Sequence, residues 1–122
     1  MAISNISIAQ ISGANLFVDD DNQNAAVAVK ASSAVIYQLE LDNTANGADT
    51  YCKIFNVAAG SVVIGTTAPD LTMLVPAATK ITLVFPNGLT FGTALSVASV
   101  TTKVESGSTS PVSSFIVKMV YV

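Results

Sequence analysis

Apolar and polar positions alternate with a period of two along much of the chain. Residues 35–42 read Val-Ile-Tyr-Gln-Leu-Glu-Leu-Asp. This alternation predicts a half-buried strand with Val35, Tyr37, Leu39 and Leu41 on one face and Gln38, Glu40 and Asp42 on the other. Residues 79–85 repeat the pattern, with Ile81, Leu83 and Phe85 aligned and Thr82 opposite. Less strictly alternating strands are expected over 4–10, 25–31, 51–58, 61–65, 71–76, 95–101 and 114–122. Val, Ile, Thr, Phe and Tyr fill most of them, and these side chains suit a pleated surface. A short helix is the competing reading for the alanine-rich 25–31. Turn clusters separate the runs: Asp19-Asp20-Asp21-Asn22, Asn43 to Gly47, Pro86-Asn87-Gly88, and Glu105 to Pro111. No segment carries a helical stripe, and no internal repeat is visible.

Short strands with regular turn signals predict an all-β fold, a two-sheet β-sandwich of jelly-roll-like form with an N-terminal extended arm. Residues 1–24 are more polar and irregular and are assigned to an arm or first strand; residues 25–122 form the sandwich domain. A single domain of 122 residues buries roughly two thirds of its unfolded surface, so it folds without disulfides or metal. Pro69 and Pro76 bracket Leu71 to Val75 and suit an edge strand. Pro86 and Gly88 around Asn87 predict a turn containing a positive φ, after which Leu89 and Phe91 return to one face and plug the end of the sandwich. The last run, Phe115 to Val122, is apolar on both faces apart from Lys118. Such a strand is central or lies in a subunit interface. Phe115, Val117, Met119 and Tyr121 should face the core, and Ile116, Lys118 and Val120 a boundary.

Composition narrows the function. Charged residues make up 11% and hydrophobic residues 51%, against about a quarter charged in an ordinary soluble domain. The surface must then be Ser, Thr, Asn, Ala and Val, which favours contact with other subunits. The chain has no His, Arg or Trp, its five lysines are scattered, and its net charge is -3. That composition argues against nucleic acid as a partner. No apolar run reaches the roughly 18 residues of a membrane span, and the start carries no basic region followed by an apolar core, so neither membrane insertion nor secretion is expected. The sequon at Asn5-Ile6-Ser7 then has no meaning.

Candidate chemistry is thin. Cys52 lies in the apolar run Tyr51 to Phe55 and reads as a buried small hydrophobe, because a thiolate nucleophile needs a base and no His exists. Asp19-Asp20-Asp21-Asn22 offers oxygens to Ca²⁺ but lacks the alternating spacing of a calcium loop, so a solvated turn is favoured. Turn formation likewise accounts for Asp42, Asn43, Asn46 and Asp49. Glu40 and Asp42 share a strand face as a hydrolase pair would, without the aromatic platforms or further acids such a site needs. No catalytic, cofactor-binding or metal site is expected, and the chain is expected not to be an enzyme.

One ordered set of segments is more specific: Leu41-Asp42-Asn43-Thr44, Tyr51-Cys52-Lys53-Ile54-Phe55-Asn56, Val63-Ile64-Gly65-Thr66-Thr67-Ala68-Pro69-Asp70, Val75-Pro76-Ala77, Phe85-Pro86-Asn87-Gly88-Leu89-Thr90-Phe91, Ala94-Leu95-Ser96-Val97-Ala98 and Tyr121. This order resembles a module of small structural proteins of tailed bacteriophages. The resemblance covers residues 35–122 and departs after Phe91, where Gly92-Thr93-Ala94 stands in place of a Thr-Gly pair. It implies a virion component assembled in the host cytoplasm. The first expectation is a capsid cement (decoration) protein, a homotrimer bound to the major capsid protein or other virion proteins. The alternative is a tail or fibre module that binds a receptor or carbohydrate.

Overall fold

The alternating runs become strands, and the strands nest. A computed structural model describes residues 13–122. The strands are β1 (Asn15–Asp19), β2 (Val27–Lys30), β3 (Ala34–Asp42), β4 (Thr50–Phe55), β5 (Leu71–Val75), β6 (Lys80–Phe91), β7 (Leu95–Val100) and β8 (Ile116–Tyr121). They form two four-stranded sheets, a front sheet in the order β1-β8-β3-β6 and a back sheet in the order β2-β7-β4-β5. All the pairings are antiparallel. First pairs with last, second with seventh, third with sixth and fourth with fifth, as if one long hairpin had been folded over into two layers. The all-β sandwich expected from the periodicity is the fold.

Its core is the set of inward positions of both sheets. Ile36, Leu39, Leu41, Val117 and Met119 come from the front sheet and Cys52, Ile54, Val75, Leu95 and Val97 from the back, all at most 1% exposed. Phe115 fills the approach to β8, and Leu89 and Phe91 pack against the same cluster, as their spacing implies. β5 pairs only with β4, the edge position that its flanking prolines favour.

Four expectations need correction. The first is the face assignment in β3. The buried residues are Ala34, Ile36, Leu39 and Leu41, while Val35 and Tyr37 are only partly buried. Between Ile36 and Gln38 the register slips against both neighbours. A bulge adds a residue and inverts the alternation beyond it, so one period-two reading cannot run through the whole segment.

The second is the turn at Pro86-Asn87-Gly88, which lies inside β6. Phe85 to Gly88 bulge out opposite Tyr37, between the pairs Gln38↔Val84 and Ile36↔Leu89. Positive φ falls on Gly88, at 76°, and a Cβ there would collide with Val35 Cγ1 and crowd the Tyr37 ring.

The third is the strand over 61–65. Residues Ala59–Ser61 form a 3-10 turn, and the amides of Thr66 and Thr67 both donate to the Val63 carbonyl. Gly65 at φ 90° continues this turn. β-branched residues are present, but no neighbouring strand pairs with them.

The fourth is the boundary at residue 25. Asn15–Asp19 pairs along its whole length with β8, so of the two readings for residues 1–24, arm or first strand, the described part is the first strand, and the sandwich starts before residue 25. β1 is short, and with Leu16, Phe17 and Val18 apolar on both faces it shows no polar alternation to stand out in sequence. The expected strand over 4–10 and the Asn5 sequon lie outside the described residues. Segment 25–31 contains strand β2 and no helix.

Candidate functional site

The outer faces of the two sheets differ, and the back sheet is the covered one. All six residues of β7 are buried, including the outward-facing Ser96, Ala98 and Val100. Phe55 beside them is also buried. Two loops do the covering. Ser96 Oγ donates to the Val57 carbonyl at 2.7 Å, tying down the loop after β4. Lys53, paired with Ala98 on the same face, ties down the loop after β7.

Lys53 is 1% exposed. Its Nζ donates to the carbonyls of Val104, Glu105 and Gly107 at 3.0, 3.1 and 3.0 Å. Three donors meet three acceptors, so the ammonium is buried with its hydrogen-bonding capacity used. Burial pushes its pKa down from the ordinary lysine value, and the Glu105 carboxylate opposes that shift. Gly107 makes the cradle possible, because a Cβ there would lie 2.7 Å from the Thr102 carbonyl oxygen. The sequence marks Lys53 only as one scattered lysine. Its one signal is position, a charged residue flanked by Cys52 and Ile54 in an otherwise apolar strand.

Buried amides fasten the other loops. Asn43, at 0% exposure, donates from Nδ2 to the carbonyls of Ala48, Val75 and Pro76 and accepts from Thr50 Oγ1. Asn46 donates to the Ser114 carbonyl and accepts from the Ser113 amide. Asn22 accepts from Ser99 Oγ and donates to Asp19 Oδ2. Asn56 Oδ1 accepts from the amides of Thr93 and Ala94, which builds the turn after Phe91. No buried side-chain polar atom lacks a partner among the described residues.

The candidate chemical groups are thereby explained locally. The Asp19–Asn22 carboxylates serve the turn: Asp19 Oδ1 accepts from the Asp21 amide at 3.1 Å. Among the described residues no three His, Cys, Asp or Glu side chains gather as a metal site. Cys52 is free and buried, and burial pushes its thiol up from 9.0 to about 12, the opposite of an activated thiolate. Asp42 Oδ1 accepts from the hydroxyl and amide of Thr44 at 2.6 and 2.9 Å. Those bonds hold its carboxyl below the ordinary 3.8. Glu40 Oε1 lies 3.9 Å from Lys80 Nζ and 3.8 Å from Lys118 Nζ, so its neighbours are cations, and it does not pair with Asp42.

The outer face of the front sheet, by contrast, is bare among the described residues. Strand register sets its side chains in rows. One row runs Leu16, Val120, Gln38, Val84, and the next Val18, Lys118, Glu40, Thr82. Beyond them Ile116, Asp42 and Lys80 align. Leu16 is 66% exposed, Val84 64% and Val18 51%, while Lys118 is exposed as its face assignment predicts. An apolar row thus lies beside a charged row on this face. No helix of the described residues is long and apolar enough to cross a membrane. Comparison of the chain with known protein families, with curated proteins and with solved structures finds no match.

Proposed function

We propose that the chain is a virion structural protein, a capsid cement protein that stabilises a phage head by bridging neighbouring capsid subunits. The observation that carries this reading is the contrast between a back sheet whose central strand β7 is closed over by the molecule's own loops and a front face that, among the described residues, lies open with exposed Leu16, Val18 and Val84. Cement action needs contact and no chemistry: each added contact favours the assembled shell over its parts by mass action. The nested strand order supports a jelly-roll reading, an architecture found in viral capsid and lectin domains. Fold alone does not set function; the order of segments over residues 35–122 supplies the phage context, and a copy number of three rests on that resemblance.

Reconstitution tests this reading. Purified chain is added to heads of the parent phage assembled without it, and shell melting is followed. Saturable binding with a higher shell melting temperature is expected. Heads that bind none of the chain would sink the cement assignment, and selective retention on a glycan array would move the chain to the tail or fibre alternative.

A further inference from the structure

The front face is complementary to itself. A two-fold axis parallel to the strands, lying in the interface plane between β8 and β3, exchanges β8 with β3 and β1 with β6 while keeping each row opposite itself. Under that operation Leu16 of one copy meets Val84 of the second, and Val120 meets Gln38. Lys118 meets the second copy's Glu40. The same contacts recur on the other side of the axis, as an isologous interface requires. An axis across the strands would instead set the Leu16 row against Asp42 and Lys80.

We propose that the outer face of the front sheet is a pairing surface for a second copy of this chain, packed sheet on sheet with strands aligned to within about 30°. Charge and row complementarity favour this pairing. The face carries two anions, Glu40 and Asp42, and two cations, Lys80 and Lys118, on β3, β6 and β8, and the pairing places opposite charges across the axis at its centre. The face spans about 400 Å² in projection, four strands about 4.8 Å apart and six residues long. A standard interface takes about 800 Å² per partner, so the pair belongs to the small, transient class of interfaces. This inference goes beyond the cement reading: it gives the open face to a second copy, so that a pair would meet capsid subunits through its remaining surfaces, and it replaces the threefold order carried by the resemblance with two-fold order. Particle binding tests the cement role, and solution mass tests the pair.

The experiment is sedimentation of the full chain from about 1 to about 200 µM, a range that brackets a small interface. The mass should rise from 12.5 kDa to twice that value. Lys118→Glu and Glu40→Lys should each stay monomeric alone. Mixed in equal amounts they should pair, because in the mixed dimer position 118 of each copy again faces a position 40 of opposite charge across the axis. A structural role for either residue cannot produce that rescue in trans. Val84→Asp should abolish pairing without lowering the melting temperature. A wild-type mass of one chain or three at the highest concentration overturns the proposal. So does a mixture that remains monomeric, or a Val84→Asp variant that still pairs.

Discussion

On the back sheet the central strand β7 is buried at every position, whereas on the front sheet its counterpart β8 leaves Lys118 exposed and Val120 half-buried. The strands have similar lengths and nearly equal apolar content, so hydrophobicity does not decide which face is covered. Polar anchors do. Covering the back sheet brings loop carbonyls over apolar residues, and those carbonyls need donors. Lys53 supplies three hydrogen bonds to them and Ser96 one. On the front face the polar groups pair among themselves as Lys80, Glu40 and Lys118, and among the described residues hold nothing above them. A face that carries anchors is closed by the fold, while one whose charges are mutually neutralised leaves Leu16, Val18 and Val84 exposed among the described residues.

The largest test of this contrast substitutes the two sides of one strand. Val117→Asp buries a carboxylate in the core and should unfold the domain, since the cost of several kcal/mol approaches the whole of a typical stability of about 5–15 kcal/mol. Val120→Asp faces outward and should shift the melting temperature little while weakening self-association. Equal melting losses would show that β8 is core on both faces and end the distinction.

Next in size is the back-sheet anchor. Lys53→Met keeps the apolar stem and strips the donors from three carbonyls. A loss of about 2–4 kcal/mol is expected, with faster hydrogen exchange through residues 101–109 and little change in the front sheet. A uniform rise in exchange across both sheets would mean that Lys53 supports the fold as a whole and not the loop.

Alkaline titration probes the covered side through its buried thiol. Cys52 is raised to about 12 in the fold from an ordinary 9.0. The unfolded chain therefore loses this proton first as pH climbs, and the stabilisation, fully present below 9.0, is lost progressively towards about 12. Chemical denaturation across that window should show the decline, and Cys52→Ala should flatten it. Native protein should resist thiol alkylation at neutral pH, and rapid labelling would show that the back sheet opens readily. Cys52→Ser should cost at most a few kcal/mol, the scale of a poorly paired buried hydroxyl.

The smallest effect belongs to the open face. Thr44 lowers the Asp42 carboxyl, so its contribution is present above 3.8 and lost as pH falls through the folded value. Thr44→Ala should change stability at neutral pH by no more than about 0.5 kcal/mol. It should also raise the Asp42 midpoint followed by carboxyl NMR shifts. An unchanged midpoint would remove Thr44 as the cause.

What can be read from the chain follows from local rules. Strand β3 and the first half of β6 stand out because apolar and polar residues alternate along them, and β8 because Val, Ile, Phe and Tyr fill most of it. The inward set of β8, the burial of Cys52 and the edge position of β5 follow from alternation and proline placement alone. β1 is not legible, because an edge strand with Leu16 and Val18 outward and Phe17 inward has no polar face to alternate with. The roles of Asn22 and Asn43 are not legible either. An asparagine in a turn cluster reads as a turn residue, and only its contacts with Ser99 or Val75, distant in sequence, reveal it as a buried anchor.

Local spacing along the chain is enough for the period, and with it the all-β class, the core side of the regular strands and the burial of the lone thiol, because these depend on neighbours one or two residues away. Contacts between distant segments set the rest. The bulge at Tyr37, an extra residue relative to β8, inverts the inward face of β3, since a slip of register is a property of two strands and not of one. The carbonyl cradle around Lys53 requires residues 104–107 to return across the sheet, about fifty positions along the chain. The open face of the front sheet exists because β1, β8, β3 and β6 come from both ends and the middle of the sequence, and no local pattern records which residues they place side by side.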